Sequence, residues 1–139
     1  MITVDTNILA YYSLPGPRSE DAALLTERDP LWAAPLLWRS EFRNVLAGHI
    51  RLEGMQRDEA VQAMLLASEA LQGGEHAVGD ESVLTLVTQS NCSAYDCEFV
   101  ALANALETVL VTEDKALLKA FPKVCRSLAV AIEGDLDRR

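Results

Sequence analysis

The spacing of apolar and polar positions changes period along the chain. Ile2-Thr3-Val4, β-branched throughout, predicts a short buried strand, and Asp5-Thr6-Asn7 supplies a polar turn into a helical Ile8 to Tyr12. Leu14-Pro15-Gly16-Pro17 breaks that helix. Ser19 to Arg28 is amphipathic, and Leu31 to Ala34 predicts a second strand closed by Pro35, a residue suited to the first turn of the next helix. Leu36 to Leu52 carries Trp38, Phe42, Val45, Leu46 and His49 on one stripe and stops at Gly54. Gln56 to Leu71 repeats the style with Ala60, Val61, Met64, Leu65 and Ala67, and Gly73-Gly74 ends it before a brief extended His76 to Gly79. Glu81 to Thr88 predicts a short helix, and Ser93 to Leu106 a central one, since it is apolar nearly all round. Thr108 to Thr112 is the clearest strand, Asp114 to Phe121 a short helix, and Ser127 to Ile132 a last strand before a charged tail from about residue 133.

Strands alternating with helices predict an α/β fold: a central parallel sheet of four to five short strands flanked by helices on both faces. With 139 residues and no internal repeat, positions 1–139 read as a single domain. Cys92, Cys97 and Cys125 form no C-x-x-C pair and have only His49 and His76 to help them, which predicts reduced thiols and neither a zinc site nor a disulfide framework. The opening lacks a basic region followed by an apolar one, and no 18-residue apolar run occurs. A cytoplasmic protein with no membrane segment is the expectation.

Charge narrows the function. Twelve Lys and Arg against 21 Asp and Glu leave a formal −9, which disfavours tight non-specific binding to nucleic-acid phosphates. Such a chain attracts cations, whether metal ions or basic segments of a partner protein.

Four acids occupy positions that ask for a reason. In a parallel α/β sheet, ligands bind beyond the carboxyl ends of the strands. Asp5 follows the first strand, and Asp114 follows Thr112 after Glu113. Glu41 lies beside the packed stripe of its helix, three residues after Trp38, and Asp96 sits one turn before Phe99 and Val100. Each also has a structural explanation. Asp5 can cap a helix, Asp96 can close a Ser93-x-x-Asp96 box, Asp114 can sit at a helix N-terminus, and Glu41 can pair with Arg39 or Arg43.

Taken in order, Val4-Asp5-Thr6-Asn7-Ile8-Leu9, Arg39-Ser40-Glu41-Phe42, Tyr95-Asp96-Cys97-Glu98-Phe99-Val100-Ala101-Leu102-Ala103 and Leu110-Val111-Thr112-Glu113-Asp114-Lys115 resemble a PIN-domain ribonuclease of the VapC-like toxin type. The similarity runs from Ile2 to about Ile132. It implies a PIN-like fold in which Asp5, Glu41, Asp96 and Asp114 gather around one or two Mg²⁺ or Mn²⁺ ions, with Asn7 and Thr112 orienting carboxylates or waters. It implies an endoribonuclease that hydrolyses RNA phosphodiesters, acts as the toxin of a type II toxin–antitoxin module, forms a homodimer, and is restrained by a cognate antitoxin carrying a basic inhibitory segment.

The chemistry suits the residue types. Hard divalent cations prefer oxygen ligands, and Mg²⁺ keeps waters while taking only one or two carboxylates directly. Glu98, turned about 200° from Asp96 on the helix, and Glu113 are expected to be solvated. Arg39, Arg43, Lys115 and Lys119 can offer phosphate contacts at the rim. Trp32, Trp38 and His49 read as packing residues. A PIN-fold ribonuclease outside a toxin–antitoxin system, and an inactive PIN-like binding module, are the alternatives. An aspartyl phosphatase is disfavoured because Asn7 stands where that chemistry places a second Asp, and no G-x-x-x-x-G-K-[ST] loop is present.

Overall fold

The structure, a computed structural model, describes residues 1–138. Its strands are β1 (Ile2–Val4), β2 (Trp32–Pro35), β3 (Glu75–His76), β4 (Leu110–Val111) and β5 (Cys125–Arg126). Its helices are α1 (Thr6–Ser13), α2 (Ser19–Arg28), α3 (Trp38–Glu53), α4 (Arg57–Ala70), α5 (Asp80–Thr88), α6 (Ala94–Leu106), α7 (Lys115–Ala120) and α8 (Leu128–Ile132).

All strand pairs are parallel, in the order β3-β2-β1-β4-β5. Ile2, Thr3 and Val4 are all fully buried, although successive side chains point to opposite faces, so helices cover both sides of the sheet. This is the α/β arrangement expected of a PIN-like fold. The chain runs outward from β1 to β3, then returns to the other side of β1 for β4 and β5. β1 and β4 therefore flank the point where the strand order reverses, the place at which open α/β sheets bind ligands. Register pairs Thr3 with Leu110 and Val4 with Val111, so Asp5 and Thr112 leave the sheet side by side.

The core is one cluster, with Trp38, Phe42 and Phe99 among its largest buried side chains. Trp32 belongs to it too, as the sequence reading expects. Cys92, Cys97 and Cys125 are free and buried. Gly54 ends α3 with φ 69°, the left-handed conformation a C-terminal glycine adopts without strain. Among the described residues no helix is long and apolar enough to cross a membrane.

Three boundaries differ from expectation. The last strand is Cys125–Arg126, not Ser127 to Ile132, and Leu128–Ile132 is helical. Ser127 accepts the Val130 N–H through its Oγ, and the buried Leu128 and Ala131 stand three apart, so a cap and a helical period override the β-branched look of the segment. Pro35 ends β2 and does not open α3, which starts at Trp38. Its missing N–H costs no bond to β1, because that register stops at Thr3 and Ala33. The extended segment after Gly74 pairs at Glu75–His76, slightly earlier than the His76 to Gly79 expected.

Gly74 shows how tightly β3 is seated. A Cβ there would lie 2.0 Å from the Trp32 carbonyl oxygen, a backbone atom that cannot swing aside. Gly74→Ala is expected to cost about 1–3 kcal/mol by forcing β3 off β2. Urea unfolding checks this, and a change within ~0.5 kcal/mol would show that β3 has room to shift.

The charged tail is held as well. The fully buried Arg126 guanidinium donates to the Pro122 and Cys125 carbonyls, to Asp135 Oδ1 and to the Asp137 carbonyl.

Candidate functional site

Asp5 is 7 % exposed and both its carboxylate oxygens are engaged. Oδ1 accepts the Thr6 N–H at 2.7 Å, capping α1, and Oδ2 accepts the Thr112 hydroxyl at 2.6 Å. The Thr112 oxygen in turn accepts the Asp114 N–H at 3.0 Å. One buried threonine thus ties the end of β1 to the turn after β4. Asp114 caps α7, its Oδ1 accepting from Ala116 at 2.8 Å and Leu117 at 3.1 Å.

Glu41 lies in the first turn of α3 and is half-buried. It pairs with neither Arg39 nor Arg43; its Oε1 accepts the Thr6 hydroxyl at 2.7 Å. Asp96 lies in the first turn of α6, where its N–H donates to Ser93 Oγ at 3.1 Å. The cap functions of Asp5 and Asp114 therefore coexist with their gathering at one end of the sheet.

Electrostatics shows that the acids share one region. Burial is the main reason the Asp5 carboxyl is raised to about 6; the Thr112 and Thr6 hydrogen bonds oppose it, and the charges of Glu41 and Asp96 reinforce it. Glu41 is raised by burial and by the charges of Asp96 and Glu98, against the Thr6 bond. Asp96 is raised by burial and by Asp114. Beneath them the Cys125 thiol is pushed up to about 12, chiefly by burial, with the Asp5 charge adding to it. It stays protonated.

Asp5, Glu41 and Asp96 thus lie near enough for their charges to act on one another, and Asp114 acts on Asp96. Thr112 donates to the Asp5 carboxylate, and Asn7, in the first turn of α1, has a buried Oδ1 with no hydrogen-bond partner. Other expectations need correcting. Glu98 is only partly solvated: it is half-buried, raised by that burial, and close enough to act on Glu41. Glu113 is ion-paired to Arg18. Arg39 is withdrawn from the rim by Glu75, which accepts from its Nε at 2.7 Å and its Nη2 at 2.9 Å.

Thr6 was missed, although it links two of the acids. The signal was a hydroxyl between Asp5 and Asn7, but its partner Glu41 is 35 positions away and no local spacing reveals such a bond.

The donor set fits a hard divalent cation: carboxylates only, crowded enough to be raised. Among the described residues, no three His, Cys, Asp or Glu side chains stand in position to share an ion. Direct ligation by one or two carboxylates, with others holding waters, is the arrangement these positions permit.

No family model matches the chain, and no curated protein does. Among solved structures it is similar to the crystal structure of PAE2754 from Pyrobaculum aerophilum, with a TM-score of 0.75 and 18% identity over 95% of this chain and 86% of that one. At that identity the likeness establishes the shared fold alone.

Proposed function

We propose that this chain is a PIN-like, Mg²⁺- or Mn²⁺-dependent endoribonuclease of the VapC-like type, the toxin of a toxin–antitoxin pair. The observation that carries the proposal is that Asp5, Glu41 and Asp96 act on one another near the β1/β4 switch point, with Asp114 acting on Asp96, and that burial and mutual repulsion raise three of them. In water such carboxylates would spread apart. A fold that holds them together, through Thr6 and Thr112, retains a place for positive charge.

One or two of Asp5, Glu41 and Asp96 would hold the ion directly, with the remaining acids and Asp114 toward its hydration shell. When bound, the ion supplies charge stabilisation to a phosphodiester undergoing displacement and lowers the pKa of a water. The chain's own part is placement. Thr112 fixes the Asp5 carboxylate and the Asp114 backbone, and Thr6 aims Glu41.

A homodimer and an antitoxin with a basic inhibitory segment belong to the same reading, and the −9 charge supports a basic partner. With Mg²⁺ or Mn²⁺, the purified chain is expected to cut structured RNA, and EDTA to abolish the cutting. Cleavage that persists in EDTA would end the metal-dependent reading.

A second reading, a PIN-like binding module without turnover, draws on the absence of a preformed ion cage among the described residues. It predicts RNA or protein binding with no effect of divalent ions.

A further inference from the structure

A pocket of about 370 Å³ lies between α1, the turn that follows it and α3, a volume typical of sites for small organic groups. Leu14 and Val45 give it apolar walls, and Asn7, Tyr11, Arg18 and His49 are its polar lining. None of the four acids lines it, but two of its residues lead to them: Asn7 follows Asp5 by two residues, and Arg18 is ion-paired to Glu113, the neighbour of Asp114. Val45 lies on the stripe predicted to pack, yet it is 39% exposed.

The geometry points to a nucleobase-binding subsite, in which an unstacked base bearing an exocyclic amino group enters this pocket while its phosphodiester lies at the acids. The inference rests on the ribonuclease reading. Three observations carry it. The Arg18 guanidinium lies 5.1 Å from the centroid of the Tyr11 ring, and an aromatic ring with a stacked guanidinium is the kind of surface on which single-stranded bases are held. The walls suit a flat apolar ring. Asn7 Oδ1 is buried without a donor, and a base amino group supplies one where an apolar side chain from a protein partner cannot.

The occupant also answers the charge problem. A chain of net −9 gains little from backbone phosphates, so affinity and selectivity must come from stacking and from reading base edges.

Nucleosides test this without a metal, because they carry no phosphate. In amide-resolved NMR titrations of the full chain, adenosine and cytidine are expected to shift Tyr11, Val45 and His49 in a saturable way, and uridine, which lacks the amino group, to bind more weakly. Tyr11→Leu and the pocket-filling Val45→Trp are each expected to weaken binding by ~10-fold. Under cleavage conditions Val45→Trp should also alter which base is preferred at the cut. Nucleoside binding by a chain that cuts no RNA would support the subsite while removing the ribonuclease reading. RNA cleavage with unchanged base preference in Val45→Trp, or shifts absent with every nucleoside and present with an apolar peptide, would overturn the subsite and leave the ribonuclease reading in place.

Discussion

Asp5→Asn is expected to lower RNA cleavage by ~10²-fold or more while leaving the chain folded and, without metal at pH 7, more stable than the wild type. The activity loss follows from removing the carboxylate that the other acids surround. The stability gain follows from its ionisation. With its folded-state value raised to about 6, Asp5 holds a proton between pH about 4 and 6 that the unfolded chain has already released. Stability therefore falls as pH rises through that window, and the whole penalty is present above it. Two units correspond to ~3 kcal/mol at most.

Asparagine escapes that penalty and still caps α1 through its amide oxygen. It no longer accepts the Thr112 hydroxyl with a charged oxygen, which removes part of the gain. A net rise of about 1 kcal/mol, or ~3–6 °C in Tm, is the expected balance. Thermal unfolding at pH 7 in EDTA measures it. A lower Tm in the variant would mean that the Asp5 hydrogen bonds outweigh its desolvation.

The second large effect is coupling between protons and divalent ions. Glu41, Asp96 and Glu98 are raised as Asp5 is, so all of them favour the metal-free folded state at mildly acidic pH over neutral pH. Glu75 opposes this, since Arg39 lowers it and the stability from that pair is lost as pH falls. Glu75, on β3, is held below the usual carboxylate range, so its loss begins only under that range and the acid cluster is expected to dominate between pH 5 and 7. A cation selects the ionised carboxylates. Mg²⁺ or Mn²⁺ should therefore raise Tm clearly at pH 7 and barely at pH 5. An equal rise at both values would place the bound ion away from these acids.

Much of this architecture is written in local pattern. The strand at Ile2–Val4, the stop at Gly54 and the central helix beginning near Ser93 all follow from β-branching, a glycine in the left-handed region and an apolar surface with little polar face. The last strand was misplaced because Leu128 to Ile132 has strand-like composition, and only the Ser127 cap and the β4 register decide against it. The four acids were readable because each sits at a strand end or helix start.

What sequence spacing did not convey was side-chain traffic across the fold. Thr6 reaches Glu41, Glu75 takes Arg39 out of play, and Arg18 finds Glu113. Glu98 was set aside on helical angle alone. It approaches Glu41 because α3 and α6 both direct their first turns to the end of β1, a relation that exists only once the sheet has formed.

The most direct test is calorimetric titration of Mn²⁺ into the wild-type chain and into Asp5→Asn at pH 7. Saturable binding by the wild type that is lost in the variant, with protons released on binding, is the predicted result. No binding by the wild type, or equal binding by both, would contradict the assignment of these four carboxylates as a metal centre.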